Sequence, residues 1–494
     1  MKTYITDKPK KEKNLISQIG VWLFWVALWQ ILALVVGKPL LLPTPWQTVV
    51  TLWTLMGEKA FYLNVFWTLV RCLSAITLSF ILGTVVAGGA YKYQVIQRIL
   101  TLPVGFFKAV PLMAIIIYLI LLVPSGWVAV VACFLMCFPI AYTNTLSGLG
   151  AMPKDLLELA QIYNITGVHK LKYIYIPSIS PQIKSAIRLI AGISWKAVVA
   201  AEVLSIPKFS LGHEMVNAKY YLETSKLFAY IIVIVVLSLV IEKLINTVLN
   251  KMTPKGYKYS KVFREDDITK VTNVQCSHTI SGKWSKEPAK MKKAADEINP
   301  PTIEVHNLYK TYGEKNVFAD FNMKIKEGKI TSLVAPSGRG KTTLARLITG
   351  LESIDSGQIT TDSPVYVSYL FQEDRLIPWL NVYDNMAIGL LRNDERSNAE
   401  EIIEMAKALE IEDALYELPE ELSGGMKHRV ALGRTMLAKA NLLIFDEPFR
   451  GLDSNLKNRI IKRLWQNITE QKTVIVITHN EADADILGEK TVVL

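Results

Sequence analysis

The sequence predicts an all-α polytopic membrane domain followed by a soluble α/β domain with a phosphate-binding loop. Two observations predict this combination. Mean hydropathy is positive, at +0.26, although 20% of the 494 residues are charged. Residues 18–249 are mostly apolar, whereas residues 250–494 have the composition of a soluble protein. A chain of this length is expected to hold two or three domains. Here one domain is predicted to lie in a lipid bilayer and the other in water.

Six apolar segments are long enough to cross a hydrocarbon core of about 30 Å, which takes roughly 20 helical residues. A charge exposed to lipid costs about 2.5–3.5 kcal/mol on insertion scales. We therefore expect Arg71, Lys196 and Glu202 to face other helices or a polar cavity. Trp195 and Glu202 either line a solute pathway or pack between helices. The predicted spans are residues 18–37, 62–90, 99–123, 125–148, 183–205 and 226–249.

Basic residues lie mainly in the tail 1–17, in the loops after the second and fourth spans, and after the sixth span. These positions share one side of a six-span domain, so the positive-inside rule predicts that both termini are cytoplasmic. The net charge of +11 is thereby explained by topology, and we expect no nucleic-acid partner. The first span follows a basic flank without a small-residue cleavage site, which predicts a retained anchor. The four cysteines lack metal-ligand spacing.

The soluble half begins after a polar segment, residues 250–301, that we expect to be a flexible linker. From residue 302 to residue 494, strand and helix patterns alternate. The strands, such as KITSLV and NLLIF, are almost continuously apolar. This pattern predicts a sheet buried on both faces by helices.

A phosphate-binding loop is predicted where the strand KITSLV runs into Ala335–Thr343, which opens a helix. Glycines allow backbone N–H groups to turn toward a phosphate, and the helix N-terminus adds partial positive charge. Lys341 would neutralise the β- and γ-phosphates, and the Thr342 hydroxyl would bind Mg²⁺. Ala335 stands where the first glycine of this loop is usual. Alanine adds only a methyl group to glycine, so we expect it to be tolerated. The nucleotide-binding residues of this loop are Ser337, Gly338, Gly340, Lys341, Thr342 and Thr343.

Two carboxylates follow a second apolar strand about a hundred residues later. Asp446 at the end of NLLIFD is predicted to hold Mg²⁺, and Glu447 to orient or polarise the attacking water. Paired with a phosphate-binding loop, they supply the second half of a metal–phosphate site.

The segment Leu422–Arg434, LSGGMKHRVALGR, resembles the signature motif of the ATP-binding-cassette (ABC) family, and the other motifs occur in that family's order over residues 302–494. The resemblance implies ATP and Mg²⁺ as ligands, and a nucleotide held between two copies. It implies that Ser423, Gly424 and Gly425 of one copy contact the γ-phosphate bound by the other. It further implies that Tyr312 stacks on adenine, Gln372 senses Mg²⁺ and water, His479 contacts the γ-phosphate, and Asp453 lies between the copies.

Two features depart from that family's pattern. His428 stands where glutamine is usual, outside the phosphate-contacting core, so we expect an effect on rate and not on role. The chain stops at Leu494, and we expect no regulatory domain after it.

The loop of residues 149–182 resembles the EAA coupling loop of binding-protein-dependent importers. Glu158, Ala160 and the end Ile174–Pro177 are in register, and Asn164 replaces the usual glycine. Asparagine is the next-best residue for a left-handed turn. The resemblance implies a type I importer permease, with a loop that seats on the soluble domain near Gln372.

Three segments resemble importers of nitrate, sulfonates, taurine or thiamine precursors. They are LLPTP after the first span, the region Ser185–Glu202 with Arg188, Trp195 and Glu202, and FQEDRLIPW. This similarity implies a homodimer in a bacterial cytoplasmic membrane, served by an extracytoplasmic solute-binding protein. The solute stays open among nitrate, a sulfonate, taurine, a pyrimidine and another vitamin precursor. Fusion of permease and ATPase departs from those importers. The alternatives are an ABC exporter half-transporter and a membrane-tethered sensor ATPase that moves no solute.

Overall fold

The computed structural model describes residues 11–165, 167–251, 299–336, 338–390, 399–465, 468, 472–486 and 491–493. The predicted linker, apart from residues 250–251 and 299–301, and the loop residue Ser337 lie outside this part. The chain forms two compact units. We call Met1–Met152 with Ser178–Met252 the membrane unit, and Pro153–Pro177 with Thr253–Leu494 the soluble unit.

The membrane unit is helical throughout its described residues. Helices α3 and α6 form its centre, and small or thiol side chains such as Cys72, Ala75, Cys133 and Ala141 are buried there. Small residues at such contacts let helix backbones approach closely. The helices are α1 (Lys11–Val36), α2 (Pro45–Met56), α3 (Lys59–Lys92), α4 (Gln94–Ala109), α5 (Leu112–Leu122), α6 (Ser125–Gly150), α9 (Ile176–Ser205), α10 (Leu211–Tyr220) and α11 (Thr224–Lys251).

The predicted count of six spans is not confirmed. By length and composition, α3, α6 and α11 could each cross a membrane among the described residues. The predicted span 99–123 is broken, because α4 and α5 meet at an angle of 106° and could count together as a fourth span. Val110 and Pro111 form the break, and proline cannot supply the N–H that would continue the helix. Within the part of α1 whose side chains are described, the apolar stretch is Gly20–Val36.

Two of the three charges predicted to avoid lipid are paired inside the membrane unit. Arg71 Nη1 lies 2.8 Å from Glu202 Oε1, and the Glu202 side chain is fully buried. Thr68 Oγ1 donates to Glu202 Oε2 at 2.9 Å. Trp195 is also buried, and its Nε1 donates to the Ile234 carbonyl at 2.9 Å. Trp195 and Glu202 therefore pack between helices, whereas Lys196 is exposed on α9.

The soluble unit contains two sheets. The strands of the smaller sheet are antiparallel in the order β2-β1-β4, and those of the larger are parallel in the order β5-β6-β7-β3-β8. β3, β6 and β7 are buried along their whole length, as predicted for a sheet covered on both faces. The strands are β1 (Ile303–Tyr312), β2 (Lys315–Ile325), β3 (Ile330–Val334), β4 (Ser356–Thr361), β5 (Val367–Leu370), β6 (Leu442–Asp446), β7 (Thr473–Thr478) and β8 (Thr491–Val493).

Helices of the soluble unit include two from the loop between α6 and α9. Pro153–Pro177, which we call the coupling segment, clusters with the soluble unit and not with the membrane unit. It contains α7 (Lys154–Ile162) and α8 (Gly167–Lys170). The remaining helices are α12 (Lys341–Ile348), α13 (Val382–Ala387), α14 (Ala399–Ala408), α15 (Gly424–Leu437), α16 (Ser454–Ile460) and α17 (Glu481–Ile486).

Candidate functional site

The predicted phosphate-binding loop connects β3 to α12 at the carboxyl end of the parallel sheet. Gly338 and Gly340 have φ angles of +82° and +96°, which L side chains rarely adopt. A Cβ at Gly340 would also lie 2.7 Å from Val317 Cγ1. The loop is therefore tight for two reasons, backbone conformation and close packing.

Lys341 is the first residue of α12, and its side chain is folded back over the loop. Its ammonium group donates to the carbonyl oxygens of Ala335 and Pro336. Only 9% of Lys341 is exposed. A cation held above a turn of backbone N–H groups, at the positive end of a helix, makes an anion site. Ala335 is accommodated without loss of this geometry.

Thr342, the residue after Lys341, contacts Asp446. Thr342 Oγ1 donates to Asp446 Oδ2 at 2.8 Å, which joins the start of α12 to the end of β6. Burial raises the pKa of the Asp446 carboxyl to about 6. A hydroxyl and a carboxylate at this separation are hard oxygen ligands of the kind that Mg²⁺ prefers. The two side chains fit the ion that the sequence assigned to them.

Glu447 and His479 are brought together although 32 residues separate them in sequence. His479 Nδ1 lies 3.0 Å from Glu447 Oε1. β6 and β7 are neighbouring parallel strands, so the residues that follow them meet at one edge of the sheet. Glu447 has a φ of +54°, and its N–H donates to the Ile477 carbonyl at 2.9 Å. Such strained residues cluster at active sites.

Tyr312 lies beside the phosphate-binding loop. Its hydroxyl donates to the Glu352 carboxylate, and Lys310 Nζ is 5.2 Å from the centre of its ring. About 46% of Tyr312 is exposed, which leaves a ring face for a flat ligand. Gln372 follows the end of β5, which pairs with β6. Its side chain is exposed, and no hydrogen bond joins it to Thr342 or Asp446 in the described residues.

The signature residues form a helix start of their own. Ser423 is the N-cap of α15, and its hydroxyl accepts from the Met426 N–H at 3.3 Å. Ser423 and Gly424 are exposed, and no hydrogen bond joins this turn to the phosphate-binding loop of the same chain in the described residues. Asp453 caps α16 by accepting from the N–H groups of Asn455 and Leu456. A Cβ at Gly425 would lie 3.3 Å from the Gly451 carbonyl oxygen, so both turns lie on one surface.

His428, the departure from the family's glutamine, joins three parts of the site. It lies on α15 and is 2% exposed. Its Nδ1 is 2.9 Å from Asp374 Oδ1, two residues after Gln372, and its Nε2 is 2.9 Å from the Pro448 carbonyl, next to Glu447. His428 therefore joins the segment that follows Gln372 to the segment that follows Glu447.

The coupling segment is attached to the phosphate-binding helix through Glu158. Its carboxylate accepts from Arg346 Nη2 and Nη1 at 2.7 and 2.9 Å, in a bidentate ion pair. Arg375 Nη1 lies 2.6 Å from the same carboxylate. The two guanidinium groups lower the pKa of Glu158 to about 2, with Arg346 the larger influence. Arg346 is on α12, and Arg375 is three residues after Gln372.

Further contacts seat the coupling segment on the soluble unit. Gln161 Nε2 donates to the Gly350 carbonyl at 3.2 Å, and Trp379 Nε1 donates to the Tyr173 carbonyl at 2.9 Å. Tyr163 is buried, and Arg434 lies 5.5 Å from its ring centre. Asn164 has a φ of +49°, so the predicted left-handed turn is confirmed. The loop therefore docks beside Gln372, as predicted.

Sequence reasoning missed Arg346, Arg375 and Arg434. Arg346 is five residues after Lys341, so on a helix it lies away from the phosphate-binding face. Arg375 has a φ of +44°, which no local pattern predicts. Charge complementarity with Glu158 is the signal that could have found Arg346 and Arg375. Arg434 instead donates to the carbonyls of Asp374 and Arg375, which no sequence signal predicts.

Comparison with known proteins agrees with these two parts. The family described as ABC transporter matches residues 318–450. The family described as binding-protein-dependent transport system inner membrane component matches residues 76–253. An aliphatic sulfonates import ATP-binding protein of Zymomonas mobilis is 38% identical over 203 residues, which cover 39% of this chain and 82% of that protein. The chain belongs to the ABC transporter family, as a helical permease domain fused to an ABC ATPase domain.

Other relatives differ in the share that is matched. A maltose/maltodextrin import ATP-binding protein of Photorhabdus laumondii is 35% identical over 207 residues, and the chain spans about half of it, 56%. A solved structure, the ABC cassette dimer MJ0796 with ADP and Pi, is 28% identical, with a TM-score of 0.36 over 39% of this chain and 94% of that one. The predicted fold class, helical membrane domain plus α/β ATPase, is confirmed.

Proposed function

We propose that this chain is half of an ATP-driven importer of a small solute, working as a homodimer with an extracytoplasmic solute-binding protein. It resides in a bacterial cytoplasmic membrane with both termini in the cytoplasm. The matched relatives are import ATP-binding proteins by name, and the membrane half matches a binding-protein-dependent permease family. The domain boundaries proposed are residues 18–249 for the permease, 250–301 for the linker and 302–494 for the ATPase.

The observation that carries this proposal is the bidentate ion pair between Glu158 and Arg346. Glu158 belongs to a segment that lies in sequence between two helices of the membrane unit, α6 and α9. Arg346 belongs to the helix that begins at Lys341. A movement of the phosphate-binding helix is therefore passed to the permease sequence through a charged, two-point contact, which resists sliding better than an apolar one.

In the proposed reaction, water attacks the γ-phosphorus of ATP, and the bond to the β-phosphate oxygen breaks to give ADP and phosphate. Lys341 holds the phosphate oxygens, and Tyr312 offers a face for adenine. Glu447 orients the water, and His479 holds the Glu447 carboxylate near its target. Thr342 and Asp446 would hold Mg²⁺, with Gln372 as a proposed further ligand, and the bound ion would supply neutralisation of charge on the phosphates.

A second copy completes the site. Ser423, Gly424 and Gly425 form an exposed helix start, which can bind an anion. This helix start does not contact the phosphate-binding loop of the same chain through a hydrogen bond among the described residues. Asp453 lies on the same surface. Pairing two chains head to tail brings each signature turn to the nucleotide of the other, and it also brings together two permease domains.

For the solute, an aliphatic sulfonate is the first choice, since one matched relative is named for sulfonate import. Nitrate, taurine, a pyrimidine and another vitamin precursor remain candidates from the permease resemblance. Specificity of such importers rests largely on the separate solute-binding protein.

The test is uptake by proteoliposomes that contain the purified full chain. Radiolabelled ethanesulfonate is supplied with a sulfonate-binding protein from the same organism, and ATP is enclosed on the side of the ATPase domain. We expect accumulation that requires ATP and the binding protein, and that disappears in Lys341→Ala. ATP hydrolysis without accumulation of any of the candidate solutes would overturn the import proposal. ATP-driven flux toward the opposite side would favour an exporter.

A further inference from the structure

The turn that carries Glu447 has a disfavoured backbone conformation. Glu447 has a φ of +54°, a region that residues other than glycine rarely adopt. Pro448 follows it, and a proline ring pushes the preceding residue toward an extended conformation. Glu447 is therefore disfavoured for two reasons, and such residues persist only where the surrounding structure holds them. The contacts of this turn thus determine where the Glu447 carboxylate lies.

One side of the turn is held by the sheet. The Glu447 N–H donates to the Ile477 carbonyl of β7 at 2.9 Å. His479 Nδ1 lies 3.0 Å from the Glu447 carboxylate, but the His479 side chain is itself exposed. Pro448 has no N–H group, so its carbonyl is its one backbone hydrogen-bonding group. This carbonyl is where an element outside the sheet can hold the turn.

His428 supplies that contact. Its Nε2 lies 2.9 Å from the Pro448 carbonyl oxygen, and both residues are buried. On the other side of the ring, Nδ1 lies 2.9 Å from Asp374 Oδ1. The imidazole ring is rigid, so two contacts on opposite sides fix its orientation. The Pro448 carbonyl therefore has a neighbour that is itself held in place.

Helix α15, which carries His428, has a second attachment to the segment after Gln372. Arg434 lies six residues after His428 on this helix and is fully buried. Its Nη1 and Nη2 donate to the carbonyls of Arg375 and Asp374, each at 3.0 Å. The helix thus reaches that segment through two side chains, which limits how far the His428 ring can shift.

We infer that His428 is a positioning residue for Glu447. By holding the Pro448 carbonyl, it keeps the strained Glu447 in the conformation that orients the attacking water. This inference rests on the proposed role of Glu447 in hydrolysis and adds a residue to it. The glutamine that is usual at this position can also donate to a carbonyl, through its amide N–H₂ group, whereas leucine cannot.

His428 should therefore affect the rate of hydrolysis and not the binding of ATP. The residues proposed to hold ATP, Lys341 and Tyr312, lie on α12 and β1, away from α15 in sequence. A change at His428 leaves both side chains in the chain. A separation of kcat from KM thus distinguishes positioning of Glu447 from a general disturbance of the site.

The first experiment measures phosphate release at varied ATP by the full chain in nanodiscs. We expect His428→Leu to lower kcat about tenfold, the equivalent of about 1.4 kcal/mol, with KM for ATP within about twofold. His428→Gln should retain at least about half of the wild-type kcat. Wild-type kcat in His428→Leu, or the same loss in the leucine and glutamine variants, would overturn the inference.

A matched control separates positioning from stability. Ile402 is buried on α14, which packs against α15. Ile402→Val removes one buried methylene group and no hydrogen bond, so it should lower the midpoint of thermal unfolding while kcat stays within about twofold. A fall in kcat as large as that of His428→Leu would attribute both losses to stability and overturn the inference.

The second experiment determines whether His428 acts through Glu447. Residual hydrolysis by Glu447→Gln is measured in single turnovers, with and without His428→Leu. Effects of residues that act as a unit are not additive, so the second change should lower the residual rate by less than about twofold. A further tenfold loss would show that His428 acts on another group and would overturn the inference.

Failure of the proposed function gives different results. Wild-type hydrolysis by Glu447→Gln would remove the proposed role of Glu447, and this inference would fall with it. A wild-type chain that hydrolyses ATP but accumulates no solute would contradict the import proposal alone, because neither experiment on His428 measures uptake.

Discussion

Glu158 of the coupling segment and Arg346 of the phosphate-binding helix form a two-point ion pair, at 2.7 and 2.9 Å, across 188 residues of sequence. Arg375 contacts the same carboxylate from the segment that follows Gln372. One glutamate thus contacts both the helix that begins at Lys341 and the segment that follows Gln372. Charge-assisted hydrogen bonds of this kind are roughly twice as strong as neutral ones. The ion pair therefore holds the coupling segment strongly against the phosphate-binding helix.

Glu158→Gln should separate hydrolysis from transport. An amide keeps the size of the side chain but loses the negative charge that both arginines use. We expect uptake to fall at least about tenfold, from loss of about 1.5–3 kcal/mol per charged bond, while ATP hydrolysis persists. Gln161→Ala, which removes one exposed hydrogen bond on the same helix, is the matched control and should retain uptake. Normal uptake in Glu158→Gln would remove the coupling role of the ion pair.

Glu447→Gln should retain ATP binding and lose most hydrolysis. The amide cannot accept a proton from the attacking water, and its contact with His479 loses its charge. Positioned bases contribute about 10²–10⁴-fold, and we expect a loss within that range. Phosphate release at saturating ATP measures the rate, and a fluorescent nucleotide measures binding. Glu327→Gln, an exposed change in a turn, should behave as the wild type. Wild-type turnover in Glu447→Gln would contradict the mechanism.

His428→Leu should destabilise the soluble unit, because it removes the ring that bridges the Asp374 carboxylate and the Pro448 carbonyl. An unsatisfied buried polar group costs about 1–3 kcal/mol, which should appear as a lower midpoint of thermal unfolding. His428→Gln should be milder, since its amide N–H₂ group has two donors. If the leucine and glutamine variants unfold at the same temperature as the wild type, the bridge contributes nothing to stability.

Asp384 predicts a dependence of stability on pH. Burial raises the pKa of its carboxyl from 3.8 to about 6, and Asp384 Oδ2 has no hydrogen-bond partner among the described residues. The folded state therefore holds the proton more tightly than the unfolded state. Its contribution to stability is full below about pH 4 and is lost as the pH rises through about 6.

Asp384→Asn should remove this loss. At pH 8 the variant should be more stable than the wild type by about 1–3 kcal/mol, whereas below pH 4 the two should be equal. Thermal unfolding of the full chain in detergent at both pH values measures the difference. A gain of the same size at both pH values would show that ionisation of Asp384 is not the cause.

Glu202→Ala should destabilise the membrane unit strongly, because it leaves the Arg71 guanidinium buried and unpaired. Removing one partner of a buried pair costs about 3–5 kcal/mol. Glu202→Gln keeps acceptors for Thr68 and Arg71 and should be milder. Melting of the detergent-solubilised chain measures stability, and uptake measures transport. A variant that melts normally but transports nothing would instead place Glu202 in the solute pathway.

Local motifs made the ATP site predictable. The residues Gly338 to Thr343, Asp446 and Glu447 follow strand ends, and parallel strands bring their carboxyl ends to one edge of a sheet. At that edge Thr342 contacts Asp446, and Glu447 contacts His479, as the order of strands and motifs predicts. The left-handed turn at Asn164 followed from residue type alone. Such features depend on short-range sterics and on the order of strands along the chain, and both can be predicted from the sequence.

The sequence by itself therefore determined the class of protein, the two halves of its architecture and the phosphate-binding loop with the two strand ends beside it. Only the tertiary structure decided the break between α4 and α5, the pairing of Arg71 with Glu202, and the contacts of Glu158 with Arg346 and Arg375. It also left Lys196 exposed on α9. These relationships join helices and loops far apart in the chain, and they depend on packing distances and side-chain directions that no local spacing encodes.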